Sequence, residues 1–182
     1  IIICSVEHAE SLGAPRDQWV FPLSGTDCHE HPFITDRDNF SQTPAVELGG
    51  RQALELASLD IDDIAHLDLY SCFPSAVQLG ARSLGIDPYS ESRPLTQTGG
   101  LSFAGGPWNE YVMHSIARMV ETLRNEPGSK GLVWANGGFV TKHAFGTYST
   151  TPPSQDFRHA EPQGEIDALP KTGWADAETA SH

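Results

Sequence analysis

The stretch Thr96–Met119, TQTGGLSFAGGPWNEYVMHSIARM, holds two glycine pairs, Gly99-Gly100 and Gly105-Gly106, around a short apolar link, after which a proline opens a segment of helical periodicity. Val112, Ile116, Met119 and Leu123 recur on one helical face, and Met113, Ala117 and Val120 widen it, so a largely buried helix is expected. A glycine loop running into a helix N-terminus lets a ligand approach backbone amides at the positive end of the helix dipole. The same glycines equally serve a turn that does no more than pack tightly.

Working outward, both flanks read as α/β. Upstream, Thr43-Pro44 starts a helix that carries Ala45, Val46, Leu48, Ala53, Leu54, Leu56 and Ala57 and ends near Ser58. The acidic turn Leu59 to Ile64 leads into a strand at Ala65 to Tyr70, and a second helix begins near Pro74. Downstream, Pro127-Gly128 precedes a strand at Gly131 to Ala135, and Asn136-Gly137-Gly138 turns it into an antiparallel partner at Phe139 to Tyr148. Strands alternating with helices in this way predict a mixed sheet whose crossovers are helical.

The two ends carry weaker signals. Ile1 to Val6, a nearly continuous apolar run, reads as an internal strand in mid-protein and leads to the expectation of a fragment. Glu7 to Phe40 reads as a long excursion broken by prolines, with a short strand at Trp19 to Phe21. Within it Asp27, Cys28, His29, Glu30 and His31 invite a metal reading. Adjacent residues seldom converge on one ion without ligands from a second segment, so a solvated polar loop and no metal are expected. From Thr151 onward prolines and scattered acids do not encode a core, which places a boundary between a domain over 1–150 and a poorly structured linker or start of a further domain over 151–182.

Composition removes several function classes. The 182 residues include 24 acidic and 11 basic side chains, a formal charge of -13, which gives no footprint for nucleic acid and opposes an anionic membrane. Cys4, Cys28 and Cys72 are far apart and form no metal-ligand spacing, which fits a reducing, cytoplasmic setting. No run of the sequence has the length or flanks of a membrane span or signal peptide.

Four segments, in order, resemble the C-terminal half of the thiolase superfamily: the acidic turn into Asp68-Leu69-Tyr70-Ser71-Cys72-Phe73, the Gly99 to Pro107 loop, the helix after it, and the turn Asn136-Gly137-Gly138. The phrases TGGLSFAGGPWNEY and NGGFVTKHAFGTYSTTPP are most similar to bacterial thiolase-like proteins, of acetyl-CoA acetyltransferase type, that carry an additional C-terminal domain. The resemblance covers about residues 1–150. It implies a mostly parallel, mixed five-stranded sheet covered by helices, with a buried helix. It also implies an acyltransferase of lipid metabolism that forms or cleaves carbon-carbon bonds on CoA thioesters, with coenzyme A or acyl-CoA as substrate rather than tightly bound cofactor. The acyl-accepting cysteine of such proteins lies in an N-terminal half, so that half is an implied partner and this piece alone is expected to be inactive.

Carried over one residue at a time, the family's HDCF segment falls on Tyr70-Ser71-Cys72-Phe73, its GHP segment on Gly105-Gly106-Pro107 and its CxG segment on Ala135-Asn136-Gly137. The histidine position is therefore Gly106 and the cysteine position Ala135. The chemistry needs donors for a developing oxyanion and a base for the carbon beside the carbonyl. Tyr70, Cys72, Asn136 and His143 are the candidates for catalysis, with Gly100, Gly105, Gly106 and Gly137 as backbone contacts for the CoA ester. Two alternatives keep the same residues: a retro-aldol lyase acting on an acyl-CoA side chain with Tyr70 as acid, and a degenerate fold kept for binding CoA esters or for assembly.

Overall fold

In the computed structural model, which describes residues 1–173, the parallel pair β2 (His66–Leu69) and β3 (Lys130–Gly137) sets Leu67 beside Leu132 and Leu69 beside Trp134. Beyond Gly138, whose φ of +66° suits a residue without Cβ, β4 (Lys142–Ser149) folds back antiparallel and pairs His143 with Asn136. Strand β1 (Phe21–His29) runs antiparallel to β4, and β5 (Arg158–Ala160) adds in parallel to β1. The order is β2-β3-β4-β1-β5, a mixed five-stranded sheet with its two parallel pairings at the edges.

One face of the sheet is covered by α2 (Pro44–Leu56) and α3 (Pro74–Ser83), which close Val46, Ala53 and Ala81 over Leu67, Leu69, Leu132, Trp134 and Phe145. On the other face α5 (Tyr111–Asn125) lays Met119 and Leu123 on Val133. Helix α5 buries one stripe, Tyr111, Ser115, Met119 and Leu123, while Met113 stays open on its far side, so the buried face is narrower than the periodicity predicts.

Strand β1 is where the sequence reading departs most from the structure: the short strand expected at Trp19 to Phe21 starts only at Phe21 and runs on through Pro22 to His29 as an interior strand. Its polar composition hid it. Ser24 Oγ donates to the Ala53 carbonyl at 2.6 Å, Thr26 Oγ1 to Gly49 at 2.8 Å and Cys28 Sγ to Ala45 at 3.2 Å. Every second residue of the strand thus meets every fourth residue of α2. The two steps match because two strand residues advance about 6.8 Å and four helix residues about 6 Å. The helix lies this close because it presents Ala45, Gly49 and Ala53; a Cβ on Gly49 would come within 2.9 Å of Cys28 Sγ and 3.0 Å of the Phe145 ring.

The two ends also differ from expectation. Ile1, Ile2 and Ile3 are exposed and join no strand among the described residues, and Val6–Ser11 form the short helix α1, capped by Ser5. Past Thr151 the chain does not leave the fold: β5 joins the sheet, and α6 (Gln163–Asp167) buries Ile166 beside Cys28 and Ala45. Backbone pairing and one well-placed isoleucine suffice there, which is why composition did not reveal it.

Candidate functional site

The C-terminal ends of β2 and β3 bring Cys72 and Asn136 together, at the end of a parallel pair where open α/β sheets present their ligand sites. Asn136 Nδ2 donates to Cys72 Sγ at 3.6 Å, while its buried Oδ1 has no partner. Asn136 is therefore more than a turn residue: it lies in β3, faces Cys72 and holds one buried amide oxygen unpaired.

The glycine loop docks onto this end. Ser71 Oγ accepts from the Leu101 amide at 3.1 Å, and a Cβ on Gly100, whose φ is +87°, would approach that same oxygen to 2.6 Å. Only glycine fits at 100. Asp68, fully buried on β2, anchors the start of the loop by accepting from the Gln97 and Thr98 amides at 2.8 and 3.0 Å. Thr98 in turn shares a 2.6 Å hydrogen bond with the Tyr111 hydroxyl. Beyond α4 (Leu101–Ala104), Gly105 donates its amide to the Leu101 carbonyl at 3.0 Å and has open space where a Cβ would stand, and Gly106 would meet only Leu101 Cδ2 at 3.7 Å, so position 106, which the motif aligns with the family's histidine, has room for a side chain. Trp108, at the end of the loop, holds a φ of +56° and is 88% exposed, a conformation that bulky residues seldom keep without support.

Tyr70 packs edge-on against Tyr111, ring centroids 5.1 Å apart. Burial, then the neighbouring Cys72, raise its phenol above the usual range, so it remains a neutral hydroxyl and a proton donor at pH 7. Gly137 continues β3 beside Asn136, opposite Lys142, with ordinary space around it.

His143 is a different case. It is the cross-strand partner of Asn136, yet Trp134 Nε1 donates to its Nδ1 at 3.3 Å and the two rings stack at 5.7 Å. The neutral ring therefore carries its proton on Nε2, which has no hydrogen-bond partner, although the Val140 carbonyl lies near enough to favour protonation slightly. Burial, then the charge of Arg37, push its pKa down to about 3. The lowered pKa leaves the imidazole neutral at pH 7 and a weaker base than a hydrated one. Its near-neutral unperturbed pKa, which recommended it from the sequence, is lost with its hydration.

Sequence reasoning missed the groups around it. Glu30 and His31, expected in a solvated loop, are each 5% exposed. Glu30 Oε1 accepts from the Ala45 amide at 3.0 Å and so caps α2, and its carboxyl is raised by burial. Arg37 donates to the Phe139 carbonyl and to Thr141 Oγ1, both at 2.9 Å, and pins the β3–β4 turn. The alternation Ser24, Thr26, Cys28, Glu30, set against a helix of small residues, was the available signal. A shallow groove of about 390 Å³ between α2 and α3, lined by Glu47, Arg51, Leu54, Glu55 and Ser83, holds none of these groups.

No protein-family model and no curated protein matches the sequence. Among solved structures, a monomeric SCP2-thiolase-like protein type 1 from Mycobacterium smegmatis is 38% identical and superposes with a TM-score of 0.84 over 94% of this chain. The matched part is 38% of that protein's chain, so the present chain spans well under half of its relative. The Acat5 thiolase from Ascaris suum, solved in complex with coenzyme A, shares the fold at 20% identity and a TM-score of 0.56 over 80% of this chain and 34% of its own. With its four motif segments set around one end of this sheet and that 38% identity across nearly all of its length, the chain belongs to the thiolase superfamily.

Proposed function

We propose that the chain is the C-terminal half of a thiolase-like acyltransferase that makes or breaks carbon-carbon bonds on CoA thioesters, with acyl-CoA as a diffusible substrate. The observation that carries this reading is the convergence of Cys72 and Asn136 under the Gly100 loop, in a chain related at 38% identity to an SCP2-thiolase-like protein. The second N–H of Asn136 Nδ2 and the loop amides not bonded within the fold would supply donors for the thioester oxygen, and Gly106 an open approach for the CoA ester. The nucleophilic thiol would come from the N-terminal half. Phe73, Phe103, Trp108 and Phe139, 69 to 88% exposed on the segments that build the site, suit the face that such a half would cover. The cysteines among the described residues are free, which fits a reducing compartment; no described helix is long and apolar enough to cross a membrane.

The reading is tested by assaying residues 1–182 and a longer protein that carries both halves with acetoacetyl-CoA and CoA. Turnover is expected only from the longer protein, and turnover by residues 1–182 alone would refute the division of labour. One observation favours a second reading. Tyr70 is held neutral beside Cys72, while glycine and alanine occupy the positions of the family's histidine and second cysteine, as expected of a lyase that uses a phenol as its acid. Tyr70→Phe in the longer protein should then abolish cleavage of a β-hydroxyacyl-CoA while leaving CoA-ester binding in calorimetry unchanged. Binding without turnover in the unaltered longer protein would assign the fold to ligand capture.

A further inference from the structure

We infer that Asp27, His159 and Glu161 form a divalent-metal site, of a kind suited to Zn2+, that clips the C-terminal segment onto the edge of the sheet. One ligand atom from each of these residues lies within 4.8 Å of the other two, and His159 Nε2 is 2.6 Å from Asp27 Oδ1. They come from two segments far apart in sequence, which adjacent residues of the Asp27–His31 run cannot supply by themselves. The parallel register that sets Gly25 beside His159 and Thr26 beside Ala160 carries Asp27 alongside Glu161. Side chains alternate across a sheet, so all three project from one face. The other members of that run are elsewhere: Cys28 faces α2, bonded to Ala45, and burial pushes its thiol up to about 12, while Glu30 caps α2.

The arms are held before any ion arrives. Gly25 sits under the Phe157 ring, 3.3 Å from where a Cβ would stand, and His159 lies beside it in register. Gln163 bonds both backbone groups of His29, accepting from its amide at 2.8 Å and donating to its carbonyl at 3.1 Å, which fixes the chain just past Glu161. The electrostatics call for a cation. Two carboxylates sit close together on a chain of formal charge -13, and among the described residues their ion-pair contacts are confined to His159. One imidazole and two carboxylates match the N/O donor set of Zn2+, whose ligand atoms lie roughly 3 to 3.5 Å apart when each is about 2.1 Å from the metal, and water fills the open position. The 2.6 Å pair of His159 and Asp27 opens by under an ångström and the exposed Glu161 closes in to reach that spacing.

The experiment is calorimetric titration of residues 1–182, stripped with a chelator, with ZnCl2. One equivalent is expected to bind in the micromolar range. Asp27→Asn and His159→Gln should each weaken binding on the order of tenfold or more, whereas His8→Gln and His114→Gln, at exposed histidines elsewhere, should leave it unchanged. Zn2+ should also slow hydrogen exchange at the amides of residues 158–161. All four positions are exposed, so the variants should keep the fold, and circular dichroism checks this. Absence of a stoichiometric site, survival of binding in the Asp27→Asn/His159→Gln double variant, or a site that takes Mg2+ in preference to Zn2+ would each overturn the assignment.

Discussion

Two regions of this molecule are built from the same materials, glycine and small polar residues, and use them in opposite ways. In the seam between α2 and β1, Gly49 is surrounded: its missing Cβ is the space that Cys28 and Phe145 occupy, and the polar teeth Ser24, Thr26 and Cys28 are consumed by helix carbonyls. In the Thr96–Pro107 loop, Gly100 is pressed on Ser71, but a Cβ at Gly105 or Gly106 would meet nothing closer than Leu101 Cδ2 at 3.7 Å, and large aromatics stand in solvent beside them. Glycine in the seam creates proximity; at the tip of the loop it creates access. A seam with every polar group satisfied belongs to the scaffold, and a loop with open backbone belongs to a site.

This contrast can be broken experimentally, and the largest effect should fall on the seam. Gly49→Val forces two methyl groups between helix and strand and is expected to destabilise the chain by about 3 kcal/mol, read from the midpoint of urea unfolding. A loss under about 0.5 kcal/mol would mean that the helix stands off the strand. Acid is next. His143 is held near pKa 3 against an ordinary 6.5, so the stability that it contributes is complete above pH 6.5 and falls by up to about 1.4 kcal/mol per pH unit on the way down to 3. Glu30, raised by burial, works in the other direction and offsets part of the loss. His143→Gln should flatten the dependence of unfolding free energy on pH between 6.5 and 4; an unchanged slope would place the acid sensitivity elsewhere.

The loop should respond less. Gly100→Ala places a Cβ at positive φ against Ser71 and is expected to lower stability by about 1 to 2 kcal/mol, and to lower affinity for CoA esters in the longer protein by more than that loss explains. Equal effects on stability and binding would make Gly100 purely structural. Gly106→His, which restores the family's residue at an unobstructed position, should change stability by less than about 0.5 kcal/mol. A large destabilisation there would show that the loop tip is packed after all.

Much of this was legible from one chain of residues. The Pro44, Pro74 and Tyr111 helices, the strands at His66 and Lys130 and the hairpin through Asn136-Gly137-Gly138 follow from apolar periodicity and turn chemistry, since these elements bury side chains of their own. The motif order from Asp68 to Gly137 sufficed to name the superfamily. Ala135 and Gly106 could be recognised as departures from its pattern without any coordinates.

Tertiary structure alone decided the rest, and the reason is the same each time: a residue's environment is set by partners distant in sequence. Strand β1 buries serine, threonine and cysteine because a helix of small residues brings carbonyls to meet them. The isoleucines at the start stay exposed because no described strand receives them. His143 looks from the sequence like a group that titrates near neutrality and becomes a weaker base because Trp134 takes its Nδ1 and the sheet removes its water. Composition set the inventory of groups, and packing decided which of them could still act.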